Sequence, residues 1–301
     1  MAKKSDKTKY YLGNPNLPAA DASMAYEPWM ISEIQKCKEN LLYFAENQFN
    51  IIDPDVGKTT INLYSFQKRI LNTLENNRRV ILIASRQIGK TTCLTIYALW
   101  VAIFNNYQNI VIVANKEATA IEVFRRIKLA YEELPVWLKP GVVAFATTSC
   151  EFDNGSRVSI STTTGSAARG MTISCLLIDE AAFIEPASIL DDFWRSVYPT
   201  ISRSSTSKVL IASTPNGTGN LFHKLYDGSE KGENGFVYEK VMWDEVPGRG
   251  EEWKNNEIKS LGSVESFLQE YCCLAGENTL VDININNECK STTLHNLYEM
   301  L

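Results

Sequence analysis

Short, nearly continuous apolar runs alternate with longer stretches whose apolar residues recur at helical spacing. The runs Arg79-Val80-Ile81-Leu82-Ile83-Ala84, Asn109-Ile110-Val111-Ile112-Val113-Ala114, Cys175-Leu176-Leu177-Ile178 and Lys208-Val209-Leu210-Ile211-Ala212 are too short for helices. They lack the polar alternation of a strand with one wet face, so they predict strands buried on both sides. Residues 91–104 and 116–134 predict helices between them, and residues 29–49, with Ile31, Ile34, Leu41, Leu42 and Phe44 in phase, predict one more. Buried strands alternating with helices predict an α/β fold with a mostly parallel central sheet flanked by helices. Residues 151–160 predict a hairpin with Asn154-Gly155 at its turn. The polar, proline-interrupted residues 1–25 predict a loosely attached arm.

The composition of the 301 residues adds exclusions. No apolar run approaches the roughly 18 residues of a membrane span, and the basic start Met1-Ala2-Lys3-Lys4 has no apolar stretch behind it. A soluble, intracellular protein without a membrane partner is expected. The seven cysteines form no CxxC pair and only two histidines exist, which argues against structural zinc and for free thiols. The net charge is −5. A static DNA binder is usually basic, so any DNA contact is expected to be local and transient, as in a translocating motor.

The chemistry starts at Ser85-Arg86-Gln87-Ile88-Gly89-Lys90-Thr91-Thr92, between a predicted strand and a predicted helix. In that setting backbone N–H groups and a helix N-terminus point at a phosphate, as a Walker A loop requires. Lys90 is placed to reach the β- and γ-phosphates of ATP, Thr91 to put its hydroxyl on Mg²⁺, and Gly89 to allow close approach. The first glycine of the usual pattern is missing. Gly57-Lys58-Thr59 is a decoy, in a polar loop with no strand before it. Leu176-Leu177-Ile178-Asp179-Glu180 supplies the second carboxylate site. Asp179 is expected in the Mg²⁺ shell and Glu180 as the residue that activates the attacking water. At the exit of the next strand, Ser213-Thr214-Pro215-Asn216-Gly217 offers small hydroxyl residues to sense a γ-phosphate. Together these predict a RecA-like P-loop ATPase.

These motifs resemble those of large terminases from tailed phages, particularly the contractile-tail type. Ser85-Arg86-Gln87-Xaa-Gly89-Lys90-Thr91-Thr92 is similar to their deviant Walker A. Glu133-Leu134-Pro135, Asp153-Asn154-Gly155-Ser156, Arg169-Gly170, Asp179-Glu180-Xaa-Ala182-Phe183 and Ser213-Thr214-Pro215-Asn216-Gly217 follow in the family's order, over residues 40–272. The resemblance implies that Gln67 recognises adenine, that Arg86 acts as a cis arginine finger or senses ATP, and that Thr214 couples hydrolysis to movement. It makes Ser85, Gln87 and Thr92 part of the nucleotide site. It also implies packaging of viral double-stranded DNA by an oligomeric ring, with portal and small terminase subunit as partners, in the host cytoplasm and transiently at the procapsid. The family's acidic nuclease domain does not appear after Glu270-Tyr271-Cys272, so DNA cleavage is not assigned. A superfamily-two helicase shares the three motifs and the glutamine, but needs a second RecA-like domain.

From Cys273 the pattern changes. Cys273-Leu274-Ala275-Gly276-Glu277-Asn278-Thr279-Leu280-Val281 resembles the start of an intein, and residues 293–301 resemble the strand and helix that follow. The resemblance implies that Cys273 is the nucleophile of an N-to-S acyl shift. Thr292 and His295 mimic a TxxH motif but lie too close to Cys273 for the family arrangement. The expected organisation is an arm (1–25), a motor domain (26–272) and the opening of a split intein (273–301). A nuclease-bearing chain is the expected splicing partner. The non-enzymatic alternative is a fragment that only docks to that partner.

Overall fold

The computed structural model describes residues 9–53, 57–161, 172–272, 280–285 and 288–293. In chain order these form α1 (Pro28–Glu39), α2 (Leu41–Gln48), β1 (Asn50–Asp53), β2 (Gly57–Thr60), α3 (Ser65–Asn76), β3 (Arg79–Ala84), α4 (Lys90–Phe104), β4 (Asn109–Ala114), α5 (Glu117–Glu133) and β5 (Val142–Phe145). Then follow β6 (Ser149–Phe152), β7 (Arg157–Ile160), β8 (Cys175–Asp179), α6 (Ala187–Ser202), β9 (Lys208–Ser213), α7 (Leu221–Glu230), β10 (Val237–Val241), α8 (Glu251–Leu261) and α9 (Val264–Tyr271). A last antiparallel hairpin pairs β11 (Leu280–Ile285) with β12 (Glu288–Thr293).

Eight strands make the central sheet, in the order β10-β3-β9-β8-β4-β7-β6-β5. All neighbours from β10 to β7 are parallel, and the last two pairings are antiparallel. The four expected strands are the middle of this sheet. Their residues alternate between two cores. Val80 and Leu82, Ile110 and Ile112, and Leu177 and Leu210 pack on the side of α3, α4 and α5. Ile81 and Ile83, Val111 and Val113, and Ile178 and Ile211 pack on the side of α6 and α7. A period of two with both phases apolar is what a strand covered on both faces requires. No described helix is long and apolar enough to cross a membrane.

Three local expectations are corrected. The helix expected over 29–49 is two helices, because Asn40 leaves helical geometry (φ −142°, ψ 104°) and its side chain caps α2 by accepting from Tyr43 N–H at 2.8 Å. Gly57-Lys58-Thr59 follows a strand, β1, and lies on the antiparallel strand β2. Lys58 there pairs with Glu133, so the triplet is still no phosphate loop. The arm is packed from Lys9 onward: Leu17 is buried in the larger core, and Lys139 Nζ donates to Asn16 O at 2.8 Å. Gly141 makes room for it, since a Cβ there would collide with Ala19 O and Ala20 Cα.

The expected hairpin turn does a second job. Asn154 Nδ2 donates to Ala102 O at 2.8 Å and Ile103 O at 3.2 Å, and Ser156 Oγ donates to Asn105 O at 2.7 Å. These are orphan carbonyls at the C-terminal end of α4. The motif that turns β6 into β7 therefore also caps the helix that starts at the phosphate loop. Asn154→Ala should lower stability by about 1–3 kcal/mol, the cost of stranding buried carbonyls. Urea unfolding checks this, and the m-value should stay unchanged.

Candidate active site

Residues 85–89 join the end of β3 to α4, whose N-terminus is Lys90. Gly89 caps that helix at φ +80°, and a Cβ on it would come within 2.5 Å of Gln67 Nε2. Glycine is needed here on both counts. Gln87 takes φ +59° without being glycine. The register of the parallel strands brings the second site alongside: Asp179 ends β8, level with Ala212 of β9 on one side and Ala114 of β4 on the other. This is the carboxyl edge of the sheet, where open α/β folds bind ligands.

Two contacts join the motifs. Lys90 Nζ lies 2.7 Å from Glu180 Oε1, and Thr91 Oγ1 donates to Asp179 Oδ2 at 2.8 Å. Lys90 and Asp179 are both buried. Burial pushes the Asp179 carboxyl above the usual range, with Lys90 pulling it back down. Glu180 adopts φ +54°, and its N–H bonds Asp179 Oδ1 at 3.0 Å. The loop after it is tied to β9: Ala182 N–H donates to Ser213 Oγ at 3.1 Å, and Asn216 Nδ2 donates to Ala182 O at 3.2 Å. Thr214 is buried beside them, with an unpartnered hydroxyl.

Lys90, Thr91, Asp179, Glu180, Gly89 and Thr214 therefore share one edge. Thr92 follows on α4, partly buried. Four other expected site residues are engaged differently. Ser85 turns away from the edge, its N–H bonded to Val241 O at 3.0 Å and its hydroxyl donated to Tyr271 O at 2.6 Å. Arg86 pairs through its guanidinium with Glu270, and its N–H bonds Glu270 O at 3.0 Å. Gln67 is buried, accepts from Tyr64 N–H at 3.1 Å and donates to Ile88 O at 3.0 Å. Gln87 is exposed, and its carbonyl accepts from Arg249 at 3.3 Å. Arg169-Gly170 and Cys273 lie outside the described residues.

Sequence reading missed Glu270 and Arg249, which reach the loop from the other end of the chain. It also missed Asn115, just past β4, whose Oδ1 is buried without a partner. The glycines flanking Arg249 were the available signal, since they mark a built turn in Pro247-Gly248-Arg249-Gly250.

The family model for the N-terminal part of the terminase large subunit, T4likevirus-type, matches residues 81–287, more than half of the chain. The chain belongs to that family. Solved terminase structures share its fold. The large terminase ATPase domain of Thermus phage P74-26 aligns with a TM-score of 0.58 at 22% identity, over 70% of this chain and 93% of that one. The HK97 bacteriophage large terminase aligns with a TM-score of 0.66 at 15% identity, over 81% and 56%. The large terminase of the thermophilic bacteriophage D6E, in complex with ADP, gives 0.55 at 14% identity, over 73% and 55%. This terminase chain thus spans little more than half the length of the last two, and it carries their RecA-like α/β architecture.

The placement of Ser85 yields a test. Ser85→Ala should destabilise the chain by about 0.5–1.5 kcal/mol, the net worth of its hydrogen bond. Nucleotide affinity should stay at the wild-type value. Thermal unfolding and titration with a fluorescent ADP separate the two, and a large affinity loss would return Ser85 to the ligand set.

Proposed function

We propose that this chain is the ATP-hydrolysing motor part of a DNA-packaging terminase. In this reading it drives viral double-stranded DNA into a procapsid, in the host cytoplasm, as part of a ring on the portal and together with a small terminase subunit. The observation that carries the proposal is the pair of contacts at the sheet edge, Lys90 with Glu180 and Thr91 with Asp179. Residues about 90 apart along the chain are brought together in the roles that phosphoryl transfer to water needs.

The free N–H groups at the start of α4 and the Lys90 ammonium receive the β- and γ-phosphates. Thr91 and Asp179 would hold Mg²⁺. No cluster of three or more His, Cys, Asp or Glu exists among the described residues, and one buried carboxylate with one hydroxyl suits a cation whose shell is completed by phosphates and water. When bound, that ion offsets the charge on the β- and γ-oxygens. A γ-phosphate arriving at Lys90 competes with Glu180 for the ammonium, which frees the Glu180 carboxylate to take a proton from the attacking water. Arg86, released from Glu270, would then add its charge to the transition state. Because Ala182 is bonded to Ser213 and Asn216, a shift at Glu180 is felt at Thr214 and the exit of β9. That is a physical route from hydrolysis to movement.

Glu180→Gln should keep ATP binding while turnover falls by roughly 10²–10⁴-fold, the usual worth of a general base. Lys90→Ala should lose both binding and turnover, and Arg86→Ala should lower turnover by a factor on the order of 10³. Phosphate release under saturating ATP measures all three. Near-normal turnover in Glu180→Gln would remove Glu180 from its role.

We further propose that Cys273 opens a split intein that joins this chain to a nuclease-bearing one. The intein-like residues from Cys273 support this, as does the charge of residues 273–301. Glu277, Asp282, Glu288 and Glu299 against Lys290 give that segment −3 and suit capture by a basic partner. Mixing the chain with a candidate C-terminal partner should yield a ligated product by mass, lost in Cys273→Ala. If Cys273→Ala ligates equally well, or nothing ligates, residues 273–301 are ordinary terminase sequence, as a family match reaching residue 287 would have it.

A further inference from the structure

One guanidinium outside every motif grips the phosphate loop from behind. Arg249 Nη1 donates to Arg86 O at 3.2 Å and Nη2 to Gln87 O at 3.3 Å, across 163 and 162 residues of sequence. Its central carbon Cζ lies over Trp253, 4.6 Å from the ring centroid, and 5.8 Å from that of Tyr271. The turn that presents it is built for the purpose. Gly248 takes φ +85°, the Arg249 N–H bonds Val246 O at 3.1 Å, and Gly250 is the N-cap of α8.

We propose that Arg249 is a positioning residue for the nucleotide, holding the carbonyls of Arg86 and Gln87 outward so that the loop's N–H groups face the phosphates. Ala84 stands where a Walker A loop usually has its first glycine, and Gln87 holds a left-handed conformation with a side chain attached. Such a peptide flips readily unless something fixes its carbonyl. A fork that bonds two successive carbonyls does so, and a planar guanidinium lying over the Trp253 ring is already held in place for it. Desolvation against these rings lowers the Arg249 pKa, and the group stays charged throughout the physiological range. The inference deepens the ATPase reading above and rests on it.

The test uses the full chain with fluorescent ADP, ATPγS and steady-state hydrolysis. Arg249→Ala should weaken ADP and ATPγS alike, by roughly tenfold, as expected for two lost charge-assisted bonds. KM for ATP should rise by about the same factor, because the brace acts through the loop that binds the phosphates. Millimolar ethylguanidinium should restore affinity by filling the slot over Trp253, which no general loss of stability would allow. Should Arg249→Ala fail to fold, Arg249→Lys decides: an ammonium keeps the charge but cannot fork, so weakened affinity for both nucleotides supports the brace. Wild-type affinity in the folded variant overturns it, and so does a loss confined to ATPγS, which would mean direct contact with the γ-phosphate. A wild-type chain that neither binds nor hydrolyses ATP overturns the ATPase reading itself.

Discussion

A loop that turns its N–H groups toward a phosphate must turn its carbonyls elsewhere, and buried or crowded carbonyls need donors. Much of this molecule answers that demand. Ile88 O takes the Gln67 amide, and Arg86 O and Gln87 O take the Arg249 guanidinium. Gly89 O takes the first helical N–H, from Cys93. The donors come from α3, from the turn before α8, and from α4 itself. The loop is held by segments far apart along the chain, and its shape is a property of the whole domain.

The same demand explains what was legible in the sequence. The central strands stood out because both faces of each are buried, which makes Val80 to Ala84 and Ile110 to Ala114 continuous apolar runs. Lys90, Thr91, Asp179 and Glu180 stood out because phosphate chemistry fixes their residue types and their place at strand ends. The break at Asn40 was hidden, since apolar residues stay in phase across it and only a capping side chain reveals it. Arg249 and Glu270 were hidden for a different reason. Their partners are backbone atoms and a guanidinium more than 160 residues away, and a contact of that range leaves no periodicity behind. The orientations of Ser85, Arg86 and Gln67 likewise depend on α9 and on Tyr64, which local spacing does not report.

Asp179 shows how the site's charge is kept where it is useful. A carboxylate this deeply buried is costly to ionise. Lys90 offsets that cost by charge, and Thr91 and the Glu180 N–H offset it by hydrogen bonds. The arrangement is compact because β8 and β9 end level with each other, so Asp179, Glu180, Ser213 and Thr214 share one edge.

Trp243, Trp253, Phe267 and Tyr271 form a third hydrophobic cluster, separate from the two that sandwich the sheet. A cluster of a few aromatic rings at the rim buries less apolar surface than either main core. Its amides should therefore exchange with solvent through a partial opening well below the free energy of global unfolding. The carbonyls of Glu270 and Tyr271 bond the phosphate loop. Such an opening would loosen that loop while β3, β9 and β8 remain intact, so the smallest of the three clusters among the described residues is also the one that touches the phosphate loop.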